Sequence, residues 1–173
     1  MFLNIQRICS LKLSNKLLCV GGPTGPKRHA TLGTFFLWRE IESSLLKWSD
    51  VDVVHLQKKV KCKLPASKTD TAAVGCSREW GCICVDDRNW PTAPCPYCAA
   101  VEQERFLLNE FTADVKSRIT FFPTESGDVC TKEAIVLHTE ALAVLCGDKT
   151  TDAEGRRIYG GHSWRATGAV TLS

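Results

Sequence analysis

The chain has 173 residues, 44% of them hydrophobic and 24% charged, with a formal net charge of +3. That balance excludes disorder, collagen and coiled coils and fits one globular domain, since a chain of this length buries roughly 70% of its unfolded surface. No apolar run approaches the roughly 18 residues needed to span a bilayer, so no membrane partner is expected.

Residues 1–30 contain Arg7, Lys12, Lys16, Lys27 and Arg28 and no acid. They are read as a basic N-terminal segment, a candidate for poor order. MFLNIQRICSLKLSNKLLCV has a short, interrupted apolar centre and no clear small-residue cleavage site, unlike a secretory signal. With ten cysteines, this favours a reducing, intracellular setting, nuclear if the source is eukaryotic. A transit peptide, or an arbitrary start in a fragment, is equally open.

GGPTGPKRHA, residues 21–30, concentrates Gly, Pro and basic residues and predicts a loop. From Thr31 to Trp48, Phe35, Trp38, Ile41, Leu45, Leu46 and Trp48 recur at helical spacing and predict one helix ending near Lys47. VDVVHLQ and VKCKLP then predict an antiparallel hairpin turning at QKK, with a third strand near Ala73–Ser77. Residues 57–68 hold Lys58, Lys59, Lys61, Lys63 and Lys68 without an acid. This is a positive stripe suited to phosphates, or else a solvated surface.

Residues 76–98 contain five cysteines and no clear period, and predict an insertion. Cys82 and Cys84, followed by Cys95 and Cys98, offer four soft ligands on two short arms, with Cys76 nearby. Such a set suits a structural zinc, because four thiolates leave no open coordination position. Free surface cysteines or a disulfide are the alternatives. Three helices complete the chain: one over 96–111, one over 131–146 with Ala134, Leu137, Ala141 and Leu145 on a common face, and one starting in HSWRATGAVTL. The expected fold class is α+β, mainly helical, with a small antiparallel β-hairpin or three-stranded sheet.

Two separated stretches carry chemistry. In WREIESSLLKWSDVDV, Arg39 opens the pattern R-x-x-E-x-x-x-L-x-W-x-D through Glu42, Leu46, Trp48 and Asp50, and GHSWRATGA holds His162-x-x-Arg165. Guanidinium forks hold the charge that gathers on an attacked phosphodiester better than flexible ammonium groups do. An imidazole one helical turn from such a fork can hydrogen-bond the same phosphate or move a proton near neutral pH. The plainer alternatives are a helix-start pair for His162 and Arg165, and an ion pair with Glu42 or Asp50 for Arg39. Glu42 and Asp50 are expected to brace Arg39 and cap the first strand, and Trp48 and Trp164 to be core.

In the order of Arg39, Lys68 in PASKTD and His162 with Arg165, residues 31–173 resemble the catalytic domain of tyrosine recombinases. The resemblance implies a DNA breaking-rejoining catalytic core that acts on DNA through its phosphate backbone, as a homo-oligomer on DNA, with no cofactor required for strand transfer. Arg39 and Arg165 would clamp the phosphate, His162 would assist, and Lys68, otherwise a solvated turn lysine, would protonate the leaving 5′-oxygen. The family's nucleophile is a tyrosine downstream of H-x-x-R. Here eight residues follow Arg165, and the two tyrosines, Tyr97 and Tyr159, stand elsewhere. The expectation is a domain truncated at its C-terminus and inactive in strand transfer as it stands. The alternatives are a non-catalytic, zinc-stabilised nucleic-acid-binding module and an inactive relic of a mobile element.

Overall fold

The stretch predicted as one helix from Thr31 to Lys47 is two helices, and the first starts earlier. In the computed structural model, which describes residues 3–13, 17–64, 76–84 and 94–173, α2 spans Pro26–Phe36 and α3 spans Glu40–Leu45. Pro26 stands in the first turn of α2, where its missing N–H costs nothing. The helix stops at Leu37, whose φ of 57° is left-handed. The Leu37 N–H reaches the Thr34 carbonyl at 3.4 Å and the Trp38 N–H the Gly33 carbonyl at 3.0 Å. This is a Schellman ending, in which Leu37 occupies the position usually given to Gly.

Ten of the eleven residues of α2 are buried, because protein surrounds the helix on all sides. α1 (Ile5–Ser10), α4 (Pro96–Glu110), α5 (Lys132–Leu145) and α6 (Ser163–Thr171) all pack on it. Several of its polar groups find partners inside the protein. Arg28 Nε donates to Gln103 Oε1 at 2.7 Å, and its guanidinium lies 5.3 Å from the Phe106 ring centre. Thr34 Oγ1 donates to the Ala30 carbonyl. In the basic N-terminal stretch, α1 buries Ile5, Ile8 and Cys9, and the Lys27 ammonium donates to the Cys9 carbonyl at 2.8 Å. Arg28 is thus a core residue rather than a phosphate-facing one.

Strands β1 (Val51–Val54), β2 (Lys59–Leu64) and β3 (Cys76–Gly81) form an antiparallel sheet in the order β1-β2-β3. Lys58, at φ 47°, makes the reversal before β2. The alternation in KVKCKL sends Val60, Cys62 and Leu64 into the core and the lysines outward. β3 uses the first six residues of the cysteine-rich stretch read as an insertion, and pairs Lys61 with Glu79 and Lys59 with Gly81. Across that ladder Glu79 reaches Lys59 at 3.1 Å and Lys61 at 3.7 Å. The lysine stripe is therefore partly neutralised by an acid distant in sequence.

One core lies between α2, the sheet and α4, with Phe121 and Phe122. A second joins α1, Ala30, Leu142, Tyr159 and Trp164. The apolar face of α5 differs from the expected one. Leu137 and Leu145 are exposed, whereas Ile135, His138, Thr139, Leu142 and Ala143 are buried. Both sets have helical spacing, and the buried one was masked by its polar members His138 and Thr139. Gly168 of α6 meets α2 so closely that an added Cβ would overlap the Thr34 carbonyl oxygen and Leu37 Cδ2. Among the described residues no helix is long and apolar enough to cross a membrane.

Candidate functional site

Arg39 stands at the start of α3 with extended backbone, φ −88° and ψ 164°. Glu42, three residues on, sends Oε2 back to accept from the Arg39 backbone N–H at 2.7 Å, half of a capping box. Its Oε1 accepts from Arg39 Nε at 3.1 Å and Nη2 at 2.9 Å. Glu42 therefore braces Arg39, as the spacing predicts.

The second guanidinium on this carboxylate comes from α6. Arg165 Nη2 donates to both Glu42 oxygens at 3.2 Å across 123 residues of chain, and Arg165 Nε donates to the Leu37 carbonyl at 3.0 Å. Glu42 is only 4% exposed, while the side chains of Arg39 and Arg165 remain 18% and 40% exposed. Two guanidinium groups thus share this one carboxylate, and a second acid, Glu40, stands beside Gly161 at the same junction. Among the described residues, Nη1 of neither arginine has a hydrogen-bond partner. Each fork therefore keeps donors for a further anion.

His162 is the residue from which α6 starts. Its carbonyl accepts from the Ala166 N–H at 2.9 Å, and its side chain is exposed. The neighbouring Gly161 carbonyl accepts from the Glu40 N–H at 2.9 Å, joining the start of α6 to the start of α3. A Cβ on Gly161 would overlap the Glu40 carboxylate. The two helix starts bearing Arg39 and His162 are thus tied by a backbone bond. Asp50 does not join them; it accepts from the Lys47 N–H at 3.1 Å and caps the turn before β1. Lys68 lies outside the described residues.

Beneath the arginines lies a buried cluster that the sequence did not reveal. The His29 ring lies 5.9 Å from Trp164, 6.4 Å from Trp38, 5.1 Å from Phe122 and 5.0 Å from His138. His29 Nε2 meets Ser43 Oγ, whereas neither nitrogen of His138 has a partner in the structure. Burial pushes the His138 pKa down to about 3 and that of His29 well below its usual value, so both are neutral. Trp38 and Trp164, each preceding a site arginine, rest on this cluster. Tyr159 is 1% exposed, and Tyr97 contacts His55 Nδ1 at 3.5 Å.

The four cysteines of the two arms do come together. Cys82 and Cys84 follow β3, Cys95 caps α4 and Cys98 lies in its first turn. Their sulfur atoms all lie within 4.8 Å of one another, a group that could hold a metal ion. Cys76 is outside it, exposed at the start of β3 and paired with Leu64. All ten cysteines are free in the structure.

No protein-family model matches the chain, and no curated protein does. Solved structures do match. The XerH site-specific recombinase bound to difH substrate, a pre-cleavage complex, superposes with a TM-score of 0.62 at 15% identity over 99% of this chain. The post-cleavage complex of the same recombinase with palindromic difH substrate gives 0.61 at 13% identity, again over 99%. This chain spans about two fifths of those proteins, 42% and 41% of their lengths. The fold is thus the mainly helical α+β type of tyrosine-recombinase catalytic domains.

Proposed function

We propose that this chain binds the DNA backbone with Arg39, Arg165 and His162 directed at one phosphodiester, as part of strand-transfer chemistry of the tyrosine-recombinase type. The observation that carries the proposal is the sharing of buried Glu42 by two arginines distant in sequence. An ion pair kept for stability alone needs one cation per carboxylate. Two cations on one acid, with donors left over, make a site that a phosphate completes. Charge developing on the non-bridging oxygens during attack would meet both forks, with the exposed imidazole of His162 able to hydrogen-bond the same phosphate. In this scheme Lys68 protonates the leaving 5′-oxygen. Burial of Tyr159 argues against it as the nucleophile. Recombination of DNA between sites, assembly of several copies on DNA and origin in a mobile element follow from the same reading.

The test is fluorescence anisotropy of a labelled duplex, titrated at several salt concentrations. Arg39→Ala and Arg165→Ala should each weaken binding about tenfold and reduce the salt slope by about one. Arg165→Lys should recover the slope but only part of the affinity, because an ammonium cannot form the fork. If both alanine variants fold and bind like the parent at every salt concentration, the proposal fails. A second reading, a metal-held nucleic-acid-binding module without catalysis, is favoured by the cysteine group. It predicts that binding depends on those cysteines more than on the arginines.

A further inference from the structure

We infer that Cys82, Cys84, Cys95 and Cys98 bind a single zinc ion as four thiolates, and that this ion fastens the end of the sheet to the start of α4. The inference is independent of the arginine site.

The geometry supports it in three ways. A zinc ion bound to sulfur at about 2.3 Å in a regular tetrahedron sets the sulfurs about 3.8 Å apart. The Cys84–Cys98, Cys95–Cys82 and Cys82–Cys98 sulfur pairs lie at 3.6, 3.7 and 3.9 Å. A disulfide would draw one pair to about 2.05 Å. Three of the six sulfur pairs are thus spaced as edges of one coordination tetrahedron, and all six lie within 4.8 Å.

The arms are also built to hold still. Cys82 is fixed by its own N–H, which donates to the Lys58 carbonyl at 2.8 Å and continues the β2–β3 ladder. Cys95 is fully buried at the N-cap of α4, Pro96 follows it, and Cys98 lies in the same turn. The site is therefore pinned to two regular elements.

The electrostatics also agree. Four thiolates around Zn²⁺ carry a net charge of −2, and they sit at the positive end of a 15-residue helix. No open position remains for water or substrate, so the ion is structural. α4 packs against all three strands and against α2. The clasp thereby fastens the end of β3 to α4, which packs on the sheet face opposite the outward-pointing lysines.

The full chain, purified with reductant from zinc-supplemented medium, should contain one zinc per molecule by plasma mass spectrometry. Cobalt substitution should give the thiolate charge-transfer and d–d bands of a tetrahedral four-sulfur site. The pair change Cys84→Ser with Cys98→Ser should reduce zinc to less than about one tenth per chain, whereas Cys76→Ser should leave it at one. Chelation of the parent should lower Tm by about 10 °C. Because the double variant can fail to fold, Cys98→His is the companion: it should keep one metal and shift the cobalt bands toward a three-sulfur, one-nitrogen set. Absence of bound metal, iron in place of zinc, full zinc in the double variant, or cobalt bands unchanged in Cys98→His would each overturn the assignment.

Discussion

Replacing Glu42 with Ala removes the acceptor of four N–H groups: the Arg39 backbone, Arg39 Nε and Nη2, and Arg165 Nη2. Breaking a buried ion pair by removing one partner costs about 3–5 kcal/mol. Here the stranded partners are partly exposed, 18% for Arg39 and 40% for Arg165, so water recovers part of the loss and about 2–3 kcal/mol remains. For a domain of this size that is a fall in Tm of about 4–12 °C. The assay is urea denaturation of Glu42→Ala, Arg165→Ala and the double variant, urea being chosen because a guanidinium salt would screen the charges. Arg165→Ala should cost less when Glu42 is already absent, with a coupling of about 1 kcal/mol or more. A Glu42→Ala protein within about 0.5 kcal/mol of the parent, or strictly additive costs, would refute the shared-carboxylate argument.

The buried imidazoles predict an acid-sensitive fold. Because the folded pKa of His138 is about 3, below an unfolded value of roughly 6.5, the unfolded chain binds the proton first. Stability should be flat above about pH 6.5 and decline below it by about 1.4 kcal/mol per pH unit for each buried histidine. His138→Leu should flatten this slope in urea titrations from pH 7 to 4, and an unchanged slope would sink the assignment. Gly168→Ala should destabilise by about 2–4 kcal/mol, since its Cβ meets the Thr34 carbonyl; circular dichroism melts would show it, and a neutral effect would mean that α6 can shift. Glu79→Gln should release Lys59 and Lys61, steepening the salt dependence of DNA binding by about one unit. An unaltered slope would place that lysine face away from DNA.

Much of the fold was legible in local pattern. α4, α5, α6 and the KVKCKL strand carry a clear period with turn or cap residues at their ends, and β1 and β2 sit where alternation predicts. α2 did not, because a helix enclosed on every side needs no polar face, and its Arg28 and His29 read as surface. The break after Phe36 was equally hidden: Leu37 takes a left-handed conformation that sequence reserves for Gly or Asn. At the site, the motif order singled out Arg39, His162 and Arg165, and the spacing of Arg39 and Glu42 suggested one ion pair. That Glu42 also holds Arg165 depends on a contact between helices 123 residues apart, which no local pattern encodes. The four-cysteine group was legible from spacing, and the exclusion of Cys76 only from strand pairing.

Leu37 stores backbone strain at the junction of α2 and α3. A left-handed leucine costs about 1–2 kcal/mol relative to its relaxed backbone, and glycine would remove that strain. Yet the same residue points its carbonyl at Arg165 Nε and sets its side chain over Gly168. Glycine would keep the carbonyl that accepts from Arg165 Nε but would remove the side chain that meets Gly168. The bend between the two helices is thus a strained spacer whose side chain sets how closely α6 can seat against α2.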